Sequence, residues 1–223
     1  MNELIDALMV LLVLMNLRLL GSSRLAACIR IVATEGIALG LLPLLLVWSQ
    51  TSASSVEPGL SGRMIFLSVA SVLTRGVLFP WLLLKAQRDA KVRREAEPFL
   101  SYPLSIIAGV LTLVLSFWLR SRLPPSFASG PPLLVPVALS TILVGLLVVV
   151  SRRLAISQVL GYIVMENGIY VLGLALVREI PALVEMGVLL DAFVAVFVMS
   201  IVTHHISRQF DHIDVDQMDS LKG

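Results

Sequence analysis

The stretch GYIVMENGIYVLGLAL, residues 161–176, contains one charged residue, Glu166, within an otherwise apolar run. A run of about this length and composition, extended by its apolar flanks, predicts a helix that crosses a lipid bilayer. A carboxylate at bilayer depth costs a few kcal/mol or more, so it normally faces the interior of a helical bundle and has a partner. We therefore expect Glu166 to mark a functional or structural site inside a membrane protein.

The composition of the whole chain supports this class. Of the 223 residues, 57% are hydrophobic and 14% are charged, and the mean hydropathy is +0.94. These values exclude an ordinary soluble domain. The net charge of +2 does not indicate a nucleic-acid partner, because the basic residues lie at the ends of apolar segments, as membrane topology requires.

Seven apolar segments approach the length of a membrane-spanning helix. They cover approximately residues 4–20, 26–48, 64–84, 101–119, 133–150, 157–177 and 184–203. The short breaks between them carry Gly, Pro, Ser and charged residues, which are typical of turns. We predict an all-α, polytopic membrane bundle in the lipid bilayer, with about seven transmembrane helices.

The distribution of Lys and Arg predicts the orientation of the bundle, since cytoplasmic loops are enriched in positive charge. One side carries Arg18, Arg24, Arg30, Lys85, Arg88, Lys91, Arg93, Arg94, Arg152, Arg153, Arg208 and Lys222, and the other carries Arg63, Arg120, Arg122 and Arg178. The difference places the N-terminus outside and the C-terminus in the cytoplasm.

Four ionisable residues lie well inside the predicted spans: Glu35, Arg75, Glu166 and Asp191. A carboxyl group at that depth can take up or release a proton when a neighbouring charge moves, and Arg75 would be the fixed cation. The sequence does not identify which carboxylate pairs with Arg75. Intramembrane polar residues also hold helices together without any transport role, and this interpretation stays open for Glu35 and Arg75 in particular.

Three further residues are weaker candidates for proton transfer. Glu185 lies near the outer end of the seventh segment, and His204 and His205 lie at its inner end. All three are most simply interfacial, although a histidine at the cytoplasmic mouth could relay protons.

The glycines near Glu166 have two interpretations. Gly161, Gly168 and Gly173 predict close helix packing, and local unwinding beside Glu166 is the alternative. Pro43, Pro80 and Pro136 can kink their helices, but isolated prolines are common in membrane spans and do not discriminate between functions. The single cysteine, Cys28, excludes a disulfide within the chain and any iron–sulfur or zinc site that needs several thiolates.

The last three segments resemble a known membrane subunit. SRRLAISQVLGYIVMENGIYVLGLAL (residues 151–176) and PALVEMGVLLDAFVAVFVMSIV (residues 181–202) are similar to the three-helix K-type subunit of respiratory complex I and the C-type subunit of multisubunit sodium/proton antiporters. With the four earlier segments and the terminal DVDQMDSLKG (residues 214–223), the whole chain resembles hydrogenase-4 component E. This resemblance divides the chain into a four-helix region, 1–132, and a K-type-like region, 133–223.

The resemblance carries over to Asp191 more directly than to Glu166. Asp191 aligns with the second acidic residue of the K-type pattern. The first acidic residue of that pattern would fall at Ile163, and Glu166 stands three residues later. Residues three apart share a helix face, so the role is expected to be kept one turn away.

The family resemblance implies a membrane subunit of a group 4 nickel–iron hydrogenase or formate hydrogenlyase-type complex in a bacterial or archaeal cytoplasmic membrane. Its partners would be antiporter-like membrane subunits and a peripheral hydrogenase module on the cytoplasmic side. The nickel–iron centre and the iron–sulfur clusters would lie in those partners, so this chain would carry no cofactor and no catalytic residue. Two alternatives stay open: a subunit of a cation/proton antiporter, and a purely structural scaffold.

Overall fold

A computed structural model of the chain describes residues 2–51, 68–69, 71–89, 99–123 and 131–176. These residues form α1 (Asn2–Leu20), α2 (Leu25–Thr51), a π-helical segment (Val72–Leu78), α3 (Phe79–Asp89), α4 (Tyr102–Arg122), α5 (Leu134–Ser151) and α6 (Ala155–Leu176). By length and composition, four stretches of the described helices could cross a membrane: Leu25–Leu46, Tyr102–Arg122, Leu134–Ser151 and Ala155–Ala175. The prediction of an all-helical membrane bundle is confirmed for this part of the chain.

Five of the seven predicted segments coincide with described helices, and the third is covered in part, by the helical residues 68–69 and 71–84. The seventh, residues 184–203, lies outside the described residues together with Asp191, Glu185, His204 and His205. Seven spans, the outward N-terminus and the division at residue 132 therefore stay predictions.

The third predicted segment is not a uniform α-helix. Val72–Leu78 form a π-helix, in which the backbone N–H of Phe79 donates to the carbonyl of Thr74, five residues earlier. Pro80 follows at once. A proline removes one backbone donor, and its ring crowds the carbonyl four residues earlier, which favours a wider turn at this point. Arg75 therefore lies within a type of turn that is rare and is often found at functional sites.

Three glycines allow α2 to pack closely against the π-helical segment. A Cβ on Gly36 would lie 2.7 Å from the backbone carbonyl carbon and oxygen of Arg75, and one on Gly76 would lie 2.6 Å from Ile37. Gly40 stands against Val72 in the same way. Gly36 and Gly40 form the small-xxx-small pattern that permits such helix approach in membranes.

The α5 and α6 pair is also packed through small residues. A Cβ on Gly161 would lie 2.8 Å from the Val149 nitrogen, and one on Gly168 would lie 2.6 Å from the Ile142 nitrogen. Close packing is thus confirmed at these two glycines. It is not found at Gly173, which has no such atom within 4 Å among the described residues. Helix α6 continues through Glu166, so the alternative of local unwinding is not what is observed.

Gly36→Ala is expected to lower the free energy of unfolding by about 1 to 3 kcal/mol. The added methyl group would overlap backbone atoms of Arg75, which cannot rotate away as a side chain can. The measurement is the melting temperature of the purified chain in mild detergent. Gly173→Ala, where no described atom lies within 4 Å of the added methyl group, is the matched control and should leave the melting temperature unchanged or slightly raised. Equal effects of both substitutions would contradict the close approach at Gly36.

Two apolar clusters form the core of the described bundle. The first apolar cluster contains Leu19, Leu20, Leu25, Cys28, Ile29, Ile31, Val32, Phe79, Leu83, Val144, Val148, Val159, Leu160, Ile163 and Val164. The second apolar cluster contains Ile5, Met9, Leu12, Leu39, Leu42, Leu134, Val137, Ala138 and Val171. Helices α1, α2, α5 and α6 contribute to both, so these four helices surround a layer that lies between the clusters.

A buried arginine joins the helices at the end of the bundle where α5 turns into α6. Arg152 is only 3% exposed. Its Nη2 donates a 2.8 Å hydrogen bond to the carbonyl of Leu20, the last residue of α1, and its guanidinium lies 4.6 Å from the Tyr102 ring centre. A basic side chain at a helix C-terminus satisfies carbonyls that the helix itself leaves unpaired. Arg152 thereby links α1, α4 and the α5–α6 turn.

Candidate functional site

A layer of polar side chains separates the two apolar clusters. On each of four helices, at least one buried polar residue lies in the sequence between a member of the first cluster and a member of the second. These include Asn16 in α1, Glu35 in α2, Thr141 in α5 and Glu166 in α6. All four are buried. Buried polar groups need hydrogen-bond or charge partners to offset the loss of water, so the contacts within this layer define the candidate site.

Arg75 is the centre of the site. Its guanidinium is 2% exposed, and its Nη2 lies 3.2 Å from Oε1 of Glu166 in a salt bridge. The Nη1 of the same group donates a 2.9 Å hydrogen bond to Oδ1 of Asn167. The guanidinium also lies 4.3 Å from the centre of the Tyr170 ring, a distance at which a cation is attracted to the aromatic face.

The three contacts of Arg75 come from one face of α6. Residues four apart on a helix are neighbours, so Glu166 and Tyr170 are presented together, and Asn167 is adjacent. Arg75 itself is brought to α6 by the π-helical segment, which packs on α2 through Gly36 and Gly76. The salt bridge thus connects two parts of the chain that are 91 residues apart.

Glu35 is the second carboxyl group of the site. It is fully buried, at 0% exposure. The side-chain amide of Asn167 lies close enough to stabilise a carboxylate at this position. Neither Glu35 oxygen meets hydrogen-bond geometry with any described group. Counting 1.5 Å per residue, Glu35 lies about 15 Å from the start of α2 and Glu166 about 17 Å from the start of α6, which places the two carboxyl groups at similar depth.

The site therefore combines one permanent cation with two carboxyl groups in a region of low polarity. An arginine side chain stays protonated in proteins, whereas each carboxyl group can exist with or without a proton. Coulomb interactions at these distances are much stronger than in water.

A separate hydrogen bond extends the polar layer to α1. Asn16 Nδ2 donates to Thr141 Oγ1 at 3.0 Å, and the Thr141 hydroxyl donates to the carbonyl of Val137 at 2.8 Å. Both side chains are buried. This contact holds α1 against α5 at the depth of the charged residues, and its neutral groups are the kind that stabilise helix pairs in membranes.

The described part of the chain contains no cluster of typical metal ligands. Among the described residues, no group of three or more His, Cys, Asp or Glu side chains is arranged to hold a metal ion. Cys28 is a buried thiol whose sulfur lies 3.7 Å from the Ser22 carbonyl oxygen.

Three of the residues predicted from the sequence, Glu35, Arg75 and Glu166, come together in one site. Asp191, the fourth, lies outside the described residues. Asn167 and Tyr170 are uncharged and do not stand out from the sequence as Arg75 and Glu166 do. Asn167 is a polar residue within the same apolar run as Glu166, and Tyr170 stands four residues after it, so polarity and helical spacing could have indicated both.

The fold and the site define a class: a helical membrane bundle with a buried arginine–glutamate centre. Residues 133–223 match the family model of NADH-ubiquinone/plastoquinone oxidoreductase chain 4L. The chain is 31% identical to hydrogenase-4 component E of Escherichia coli, over 72% of this chain and 74% of that protein. The protein therefore belongs to the hydrogenase-4 component E family, and the predicted resemblance is confirmed.

Two further relatives are similar to the chain over most of their length. An uncharacterized protein of Mycobacterium tuberculosis is 28% identical over 95% of this chain and 92% of its own length. Hydrogenase-4 component E of Shigella flexneri is similar at 31% identity, again over 72% of this chain and 74% of its own. No solved structure matches the chain.

Proposed function

We propose that this chain is a membrane-arm subunit of a hydrogenase-type, complex I-related assembly in a bacterial or archaeal cytoplasmic membrane. In this role it contributes buried charged residues to proton translocation, which is coupled to redox chemistry in partner subunits. The observation that carries the proposal is the buried contact of Arg75 with Glu166, with Glu35 as a second carboxyl group beside it. Membership of the component E family supports the same assignment.

The burial of this charged group favours a functional role over simple helix packing. Charged residues inside membranes are expensive, and they commonly mark proton relays or ion pathways. Neutral hydrogen bonds such as Asn16 to Thr141 can hold helices together at lower cost. Three ionisable residues in one layer, between two apolar clusters, exceed what packing alone requires.

Each residue has a distinct part in the proposed mechanism. Glu166 takes up and releases the proton, and Arg75 stabilises its anionic form at 3.2 Å. Asp191 would continue the relay from Glu166. Glu35 is the remaining acidic member of the chain of sites. Because the described acids lie at similar depth, the arrangement supports a charge axis in the plane of the membrane rather than a pore through this subunit.

The partners of the subunit would be antiporter-like membrane subunits and a peripheral hydrogenase module on the cytoplasmic side. The nickel–iron centre and the iron–sulfur clusters would belong to those partners, which supply the redox energy. The part of this chain would be to hold and move protons at its buried carboxyl groups.

Glu166→Gln is expected to lower the number of protons moved per hydrogen turned over by at least about twofold, while the complex still assembles. Glutamine keeps the shape of the side chain and cannot carry the charge. The measurement is proton movement together with hydrogen turnover in inverted membrane vesicles. Glu3→Gln, at an exposed glutamate in the first turn of α1, is the matched control. Normal proton movement in vesicles with Glu166→Gln would refute the proposed role.

The composition of the complex is a second test. The tagged chain would be extracted from native membranes in mild detergent, and the co-purifying proteins identified by mass spectrometry. We expect a nickel–iron large subunit with iron–sulfur partners. Recovery of antiporter-type subunits alone would instead favour a cation/proton exchanger.

A further inference from the structure

We propose that Glu35 is the alternate carboxylate partner of Arg75, so that the guanidinium exchanges between Glu166 and Glu35 across Asn167, which positions it. This inference rests on the proposed function, because it specifies how the buried charges would move a proton. It goes further by assigning Glu35 a definite place in the cycle and by making Asn167 a positioning residue.

The surroundings of Glu35 favour its protonated form. It is fully buried, and neither of its oxygens accepts or donates a hydrogen bond within the described part of the chain. An ionised carboxylate in such surroundings would lack the partner that buried charges require. While Arg75 is bound to Glu166, Glu35 therefore holds its proton and is neutral.

Asn167 and Gly36 lie beside the proposed path of the Arg75 guanidinium. Asn167 accepts a hydrogen bond from Arg75 at 2.9 Å, and its side-chain amide lies close enough to Glu35 to stabilise a carboxylate there, although the two do not meet hydrogen-bond geometry in this state. Asn167 thus lies next to both ends of the exchange. Gly36, the residue after Glu35, is where the backbone of α2 approaches that of Arg75 most tightly, since a Cβ there would lie 2.7 Å from it. The proposed exchange turns the Arg75 side chain from α6 towards α2, which already packs against its backbone.

The exchange conserves both protons and charge. In one state Glu166 is the anion and Glu35 carries the proton, and in the other state Glu35 is the anion and Glu166 carries it. The proton leaves a Glu35 oxygen and binds a Glu166 oxygen, and the permanently charged Arg75 follows the negative charge. No electron moves, and the net charge of the three groups is zero in both states, which avoids an unpaired buried charge.

Among the described side chains, the other acidic groups on elements that pack against α2 lie at a different depth from Glu35. The elements that pack against α2 are α1, the π-helical segment, α3 and α6. Besides Arg75 and Glu166, the charged or titratable side chains described on them are Glu3, Asp6, Arg18, Lys85, Arg88, Tyr162 and Tyr170. The acidic members, Glu3 and Asp6, lie within the first two turns of α1, well away from the depth of Glu35.

The test compares the melting temperatures of single and double variants of the full-length chain within its purified complex. Glu35→Gln and Glu166→Gln are each expected to lower the melting temperature by only about 2 to 4 °C, since either carboxyl group can satisfy Arg75. The double variant would leave Arg75 with no carboxylate among the described residues. It is expected to lose roughly 10 °C or more, well beyond the sum of the single effects.

Adding Arg75→Met to the double variant provides the internal control. Removing the cation should restore most of the lost stability, even if the double variant does not accumulate in membranes. A double variant that shows only the sum of the two single effects would overturn the exchange, and so would one that Arg75→Met fails to restore. These are stability measurements, so their outcome is independent of the vesicle assay that decides the proposed function.

The role of Asn167 as a positioning residue can be tested separately. Asn167→Leu keeps the approximate size of the side chain but removes the acceptor for Nη1 of Arg75. We expect protons moved per turnover to fall at least about twofold, and Asn167→Gln, which keeps an amide, to recover part of the loss. Equal loss in both variants would assign Asn167 a packing role and remove it from the exchange.

Discussion

Arg75→Met is expected to lower the free energy of unfolding by about 3 to 5 kcal/mol, the range found when one partner of a buried ion pair is removed. The substitution takes away the salt bridge to Glu166, the hydrogen bond to Asn167 and the contact with the Tyr170 ring. It also leaves two buried carboxyl groups without a cation. Proton uptake by Glu166 limits the loss but does not replace these contacts.

The measurement is the melting temperature of the complex, with Arg75→Met/Glu166→Leu as the comparison. Buried ion pairs can often be replaced by apolar residues at little cost, so the double variant should regain more than half of the lost stability. It should nevertheless move fewer protons per turnover, because Glu166 is absent. A double variant no more stable than Arg75→Met would show that the pair does not account for the loss.

Arg152→Ala is expected to have the second largest effect, a loss of about 3 kcal/mol. The truncation would leave the Leu20 carbonyl at the end of α1 without its 2.8 Å donor. It would also remove the guanidinium from the Tyr102 ring and open a cavity between the helices. The expected result is weaker accumulation of the chain in membranes and a lower melting temperature.

The neighbouring arginine is the matched control for this prediction. Arg153 is exposed, and its guanidinium lies 4.5 Å from the centre of the Phe99 ring. Exposed contacts of this kind contribute about 0.5 to 1 kcal/mol, so Arg153→Ala should have a small effect. If both substitutions lowered stability equally, the positive charge of the turn, and not the burial of Arg152, would be responsible.

Local sequence pattern was sufficient to predict the helical class and three members of the site. Glu35, Arg75 and Glu166 stood out because each is charged inside an apolar run. The pairing of Arg75 with Glu166 could not be predicted in this way, because it depends on how α6 packs against a segment 91 residues earlier. Helical periodicity describes one helix at a time and contains no information on which faces of distant helices meet.

Arg152 and the π-helical segment show a second limit. When basic residues are counted on the two sides of the membrane, Arg152 is one of many charges at helix ends. The count does not reveal that Arg152 is only 3% exposed. Pro80 indicated an irregularity in the third segment, but a kink and a π-helical turn both relieve the same steric conflict. The glycine contacts with α2 that accompany the π-helical turn are tertiary, so the local sequence does not contain them.

The presence of one arginine and two glutamates also sets a proton stoichiometry. A cluster of one permanent cation and two carboxyl groups is electrically neutral when it contains a single dissociable proton. A second proton would leave a buried positive charge, and the loss of the only proton would leave a negative one, both at high energetic cost. On the proposed function, the centre formed by Glu35, Arg75 and Glu166 therefore handles one proton in each cycle, and any larger number moved per turnover must pass through other sites of the complex.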